Sequence, residues 1–340
     1  MEDKLKQSIT KSPEGHRNSI LQTLAYFDVF NQPLTKEEIW QFLYIRITDY
    51  ADQQIDRQTV FVALQSLKEL GNINLKEGYY FLPGREELVA KRQANIWLVE
   101  RKMKKAIKGI KKLARVPFVR AVFVCNTVSG IGIEDSSDID VLIIVKKGRI
   151  FLARAIATFY LSLLNLRRTK RKIKNKICLS FYVADDNLNL SQITLPDLSG
   201  VASAKPDIYL MYWLAQLIPV YDPDNLLISL QKANTWVNKF LPNAFQKFNI
   251  LSRWQVKNNK FWQGFKKFFE RVWQAGYGDL LEKQAKDMQL NKMKMNYMSV
   301  QNEANTRVIV NDQMLKFHEK DRREEYRDLW EKKCEALNLE

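Results

Sequence analysis

The chain has 340 residues, 46% of them hydrophobic and 27% charged. That apolar content excludes a disordered chain, and the length exceeds one small core, so two or three packed units are expected. A formal charge of +16 favours polyanionic partners: nucleic acid, nucleotide phosphates or an anionic membrane surface.

In chain order, residues 18–30 place Ile20, Leu21, Leu24, Ala25 and Phe27 at helical spacing. Thr35 with Glu38 forms a capping box that starts a second helix, running to Leu43. A third helix over 58–70 carries Val60, Val62, Leu64 and Leu67, and Gly71 stops it. The stretches 73–75 and 79–82 flank Lys76-Glu77-Gly78 and read as a β-hairpin. Three helices and a hairpin within 1–84 have the layout of a winged helix–turn–helix. Its third helix offers few cations beyond Arg57 and Lys68, so protein packing or shaping of a cleft is as good a reading as DNA binding. Residues 85–116 read as a basic helical linker with six lysines between Lys102 and Lys112. A solvated face or a nucleic-acid track over 101–115 would both explain it.

Residues 119–124 form an apolar strand, and a small polar turn follows at Asn126-Thr127. A second apolar strand over 141–145 opens on Asp138-Ile139-Asp140. Residues two apart on a strand share a face, so Asp138 and Asp140 project together while Ile139 and Val141 point into the core. Carboxylates this close repel, and a divalent cation between them, magnesium or manganese, keeps both ionised.

This arrangement resembles the polymerase β-type nucleotidyltransferase superfamily, whose signature is a strand, a Gly-Ser turn and an Asp-x-Asp strand. The resemblance implies metal binding and catalysis at Asp138 and Asp140, and nucleotide contacts from Asn126, Thr127 and Ser137. The chain departs from the pattern in two places: Asn126-Thr127 stands where the superfamily has Gly-Ser, and the strand at 176–183 has Ser180 where a third acid is usual. Asp185 and Asp186, just beyond that strand, are the candidate replacements. A narrower resemblance, carried by Leu24 to Phe30, Tyr80 to Arg85, Pro117 to Ala121, Lys176 to Leu179 and Leu315 to His318, is to an uncharacterised bacterial group with a winged helix before this domain.

The expected architecture is therefore α+β: a winged helix–turn–helix (1–84), a helical linker (85–116), a nucleotidyltransferase core with a small mixed sheet (117–200) and a helical C-terminal region (201–340). Residues 150–166 are apolar, but Arg154 interrupts them and they are shorter than the roughly 20 residues a spanning helix needs. A buried helix is expected there, and no transmembrane segment. The loop 167–176 is densely basic and would lie near the site's edge, where attraction of phosphate or nucleic acid and a merely solvated loop are equal readings. Residues 261–273 mix aromatics with cations at helical spacing, compatible with a packed amphipathic helix, a membrane-surface helix or a platform for single-stranded nucleic acid. Cys125, Cys178 and Cys334 form no closely spaced pair, so neither a zinc site nor a disulfide framework is indicated. The polar start, Met1-Glu2-Asp3-Lys4, lacks a signal-peptide pattern, and a cytoplasmic location is expected. His318 reads as structural. Two functions follow: metal-dependent transfer of a nucleotidyl group from a nucleoside triphosphate to an acceptor hydroxyl, on RNA, protein or a small molecule, or a catalytically degenerate nucleotide- or nucleic-acid-binding regulator.

Overall fold

The computed structural model describes residues 15–46, 55–126, 133–195, 206–246, 250–295, 303 and 305–339. The first helix, α1 (Gly15–Val29), is buried throughout Ser19–Asp28, with Ile20, Leu24, Ala25 and Phe27 in the core. β1 (Leu34–Thr35) leads into α2 (Lys36–Gln41), and both bonds of the capping box form: Glu38 N donates to Thr35 Oγ1 at 3.2 Å and Thr35 N to Glu38 Oε2 at 2.9 Å. α3 (Arg57–Glu69) starts where Asp56 accepts from the amides of Gln58 and Thr59. β2 (Asn74–Lys76) and β3 (Tyr79–Phe81) close a three-stranded antiparallel sheet in the order β1-β3-β2. Glu77 and Gly78 at its turn both have positive φ, which fits a tight two-residue connection.

α4 (Glu87–Leu113) is one helix of 27 residues, about 40 Å long at 1.5 Å per residue. It delivers the chain to a six-stranded mixed sheet made of β4 (Val119–Cys125), β5 (Ile139–Val145), β6 (Ile177–Ala184), β7 (Ile218–Tyr221), β8 (Val308–Val310) and β9 (Met314–Phe317), in the order β7-β4-β5-β6-β9-β8. Only β5 and β6 are parallel, and α5 (Ile150–Leu163) makes the crossover between them. The other helices are α6 (Ile208–Ala215), α7 (Leu226–Ala233), α8 (Lys260–Val272), α9 (Gly276–Lys294) and α10 (Arg323–Ala336). No described helix is long and apolar enough to cross a membrane.

Alternation along the strands divides two cores. Val122, Val141, Ile143 and Tyr182 lie on one face with α4 and α5, whereas Ala121, Phe123, Leu142 and Ile144 share the other with α1, α6 and α10. The second core is continuous with that of the N-terminal unit. Tyr26 stacks on Tyr212, and Trp330 Nε1 donates to Gln22 O at 3.0 Å.

The mixed α+β organisation, with one small antiparallel sheet and one mixed sheet, is as expected. The C-terminal region is not purely helical, however: it supplies β7, β8 and β9, half the strands of the larger sheet. These are three or four residues long and lie beside longer helical patterns, so sheet pairing rather than local periodicity defines them.

Candidate functional site

Asp140 is the second residue of β5 and Asp138 immediately precedes the strand. Register sets Asp140 level with Cys125 of β4 and Cys178 of β6, so the carboxylate lies between two thiols on one face of the sheet. The ligand atoms of Asp138, Asp140 and Cys178 all fall within 4.8 Å of one another, a set that could hold a metal ion. Burial, followed by the neighbouring Asp138 charge, pushes the Asp140 carboxyl up to about 6 despite hydrogen bonds from Asn126 and Cys178. Both thiols are raised by burial and then by Asp140, so they are protonated at neutral pH, and Cys178 donates to Asp140.

Asn126 closes the end of β4 with a left-handed backbone (φ 55°), the conformation for which glycine or asparagine is suited. Its Nδ2 lies 3.4 Å from Asp140 Oδ2, and its Oδ1 accepts from the Tyr209 hydroxyl at 3.0 Å. Tyr209 in turn stacks on Tyr326, with Phe30 against Tyr326, which makes an aromatic wall beside the carboxylates from three separate helical segments. Arg168 Nε sits 2.6 Å from Asp138 Oδ2. Its backbone is anchored by a bond from Arg168 N to Ile177 O at 2.9 Å, so the basic loop does reach the site's edge.

Other expected residues are placed differently. Ser137 lies next to Asp138, and its hydroxyl donates back to Glu134 O at 2.8 Å, bracing the turn. Asp185 and Asp186 are not at the site. Val145 pairs with Ala184 at the far end of β5 and β6, so these acids lie about 20 Å from Asp140 at 3.3 Å per residue. There Asp185 accepts from Lys147 N at 2.9 Å and Asp186 pairs with Lys147 Nζ at 2.9 Å. Thr127 lies outside the described residues.

Ser180 faces the same side as Cys178, and its Oγ is 3.1 Å from His318 Nε2, supplied by the segment after β9. Burial and then Lys316 push His318 down to about 4, so it is neutral at physiological pH. A neutral Ser180–His318 pair therefore stands beside Cys178 on the site's face. The sequence pointed to the loop of Arg168 and to Ser180, but assigned no site role to Cys178, Tyr209 or His318. Only Cys178 left a signal, since laying the strand at 176–183 parallel to β5 brings it opposite Asp140.

Of the basic segments, Lys104, Lys105, Lys108 and Lys111 of α4 are exposed, but Lys102 is buried and donates to Ser137 O at 2.7 Å. In the loop, Arg168 and Lys174 are engaged with Asp138 and Asp135. The donor set suits a hard divalent ion through two carboxylate oxygens, because a protonated thiol is a poor ligand for magnesium or manganese. Comparison with protein-family models, with curated proteins and with solved structures gives no match.

Proposed function

We propose that the chain is a metal-dependent nucleotidyltransferase of the polymerase β type, with a winged helix–turn–helix packed against its catalytic unit. The observation that carries this reading is the convergence of Asp138 and Asp140 at the start of β5, with the Asp140 carboxyl raised to about 6 by burial and by its Asp138 neighbour. The acceptor hydroxyl attacks the α-phosphorus, the bond to pyrophosphate breaks, and the hydroxyl proton leaves to water. A bound divalent ion supplies charge neutralisation of the triphosphate and alignment of the hydroxyl. Asp138 and Asp140 would hold that ion. Arg168, released from Asp138, would pair with phosphate oxygens, and Asn126 would orient Asp140 through its amide. The Tyr209–Tyr326 wall offers a stacking surface for a base.

A second reading is a nucleotide- or nucleic-acid-binding regulator that has lost transfer. It is favoured by Ser180 and His318 at the position of a third carboxylate. Incubation with labelled nucleoside triphosphates, magnesium or manganese, and cell extract separates the two. The first reading expects label transfer that Asp138→Asn and Asp140→Asn abolish. Nucleotide binding without transfer supports the second, and absence of both contradicts the pair.

A further inference from the structure

α8, Lys-Phe-Trp-Gln-Gly-Phe-Lys-Lys-Phe-Phe-Glu-Arg-Val, carries aromatics on two faces: Trp262 and Phe269 turn towards the protein together with Lys266 and Glu270, and a second apolar face does not. Glu270 accepts from Arg120 Nη1 at 2.9 Å and Nη2 at 3.1 Å, and from Phe118 N at 2.6 Å. Phe118 has a positive φ of 69°, and this bond helps hold that backbone in place. One turn away, buried Lys266 donates to Val119 O. These polar anchors leave Phe261, Phe265, Phe268 and Val272 facing outward, at 71%, 43%, 61% and 50% exposure. At about 100° per residue those four span about 60° of arc and form one continuous apolar ridge.

The ridge is bordered by positive charge on both sides. Lys260, Lys267 and Arg271 fall together along one flank, about 60–100° from the ridge by the same helical count, and none has an ion pair among the described residues. On the other flank, Arg115 lies over the Trp262 ring at 4.0 Å, beside a hollow of about 230 Å³ that Lys111 and Lys257 also line. A face of phenylalanines between two rows of cations, on a chain of formal charge +16, is complementary to a surface that is apolar beneath and anionic at the rim. A groove on a protein partner would need acidic walls at both flanks to match it, whereas an anionic bilayer presents that arrangement everywhere.

We propose that α8 is a membrane-surface anchor, lying in the plane of an anionic phospholipid bilayer with Phe261, Phe265, Phe268 and Val272 inserted among the acyl chains and the flanking cations on the headgroup phosphates. This is independent of the chemistry at Asp138 and Asp140, and it places that chemistry beside a membrane.

The test is flotation of the full chain with vesicles of phosphatidylcholine alone and of phosphatidylcholine with phosphatidylglycerol at 3:1. Binding is expected only to the anionic vesicles and is expected to weaken in high salt. Phe265→Ser with Phe268→Ser should reduce it by about tenfold or more, with helix content unchanged by circular dichroism because both side chains are exposed. Lys267→Glu with Arg271→Glu should weaken it by a similar factor. Wild-type protein left unbound by anionic vesicles would overturn the proposal. So would vesicle binding indifferent to the Phe265 and Phe268 changes, which would reduce the effect to net charge. A dimer abolished by those same changes, without vesicle binding, would assign the ridge to a second copy instead.

Discussion

Asp140 carries the site's electrostatic strain. Its carboxyl is raised from 3.8 to about 6 by burial and then by Asp138, so the folded chain keeps a proton that the unfolded chain has already released. Stability is therefore present at low pH and is lost as the pH rises from about 4 to about 6. Asp140→Asn removes that loss. At pH 7.5 without divalent ions the variant should be more stable than wild type by about 1–3 kcal/mol, read from the denaturant midpoint. Manganese should stabilise wild type and leave the variant unchanged, and a less stable variant would contradict this account. Of the residues around Asp140, the Asp pair was legible because two-residue spacing on an apolar strand fixes a shared face. Cys178 and Tyr209 were not, because strand register and helix packing bring them there rather than any local pattern. Asp185 and Asp186 misled for the same reason: nearness in sequence to the third strand says nothing about which of its ends faces the site.

At the scale of elements, α4 and β6 meet at a single glycine. A Cβ on Gly109 would lie 2.6 Å from Ile177 Cγ1, so the helix can approach the strand only where no side chain intervenes. Elsewhere on an exposed helix, glycine to alanine is stabilising by up to about 1 kcal/mol. Here Gly109→Ala should instead cost about 1–3 kcal/mol by overpacking. Because Ile177 pairs with Ile139, between the two aspartates, metal affinity should fall along with the thermal midpoint. An unchanged or raised midpoint would mean that the two elements are not so tightly coupled. Periodicity, capping and turn residues made α1, α2, α3 and the first hairpin legible, since each signal is local. α8 shows the limit of that reasoning. Its aromatics have the spacing of a buried face, but Glu270 and Lys266 anchor the helix so that Trp262 and Phe269 turn inward while Phe261, Phe265 and Phe268 are left exposed.

Across the whole molecule, a buried ionic network ties the C-terminal hairpin to α6 and α10. Arg323 donates from Nη1 to Asp207 Oδ2 at 2.7 Å and from Nε to Asp321 Oδ2 at 2.9 Å, and Lys316 reaches the same Asp321 at 2.9 Å. These charges hold Asp321 down to about 2, while burial pushes Lys316 down to about 8. Arg323→Ala leaves Asp207 buried without its cation and should cost about 3–5 kcal/mol in the denaturant midpoint. A loss below 1 kcal/mol would show that the network is not coupled to folding. His318 sits just beyond β9, so the same change should disturb its contact with Ser180.

The most direct test of the central claim is manganese titration followed by electron paramagnetic resonance, in the presence of a non-hydrolysable nucleoside triphosphate. Wild type should bind one or two ions that Asp138→Asn and Asp140→Asn both release, with binding weakened as the pH falls below about 6. Manganese retained by either variant as tightly as by wild type would contradict the account.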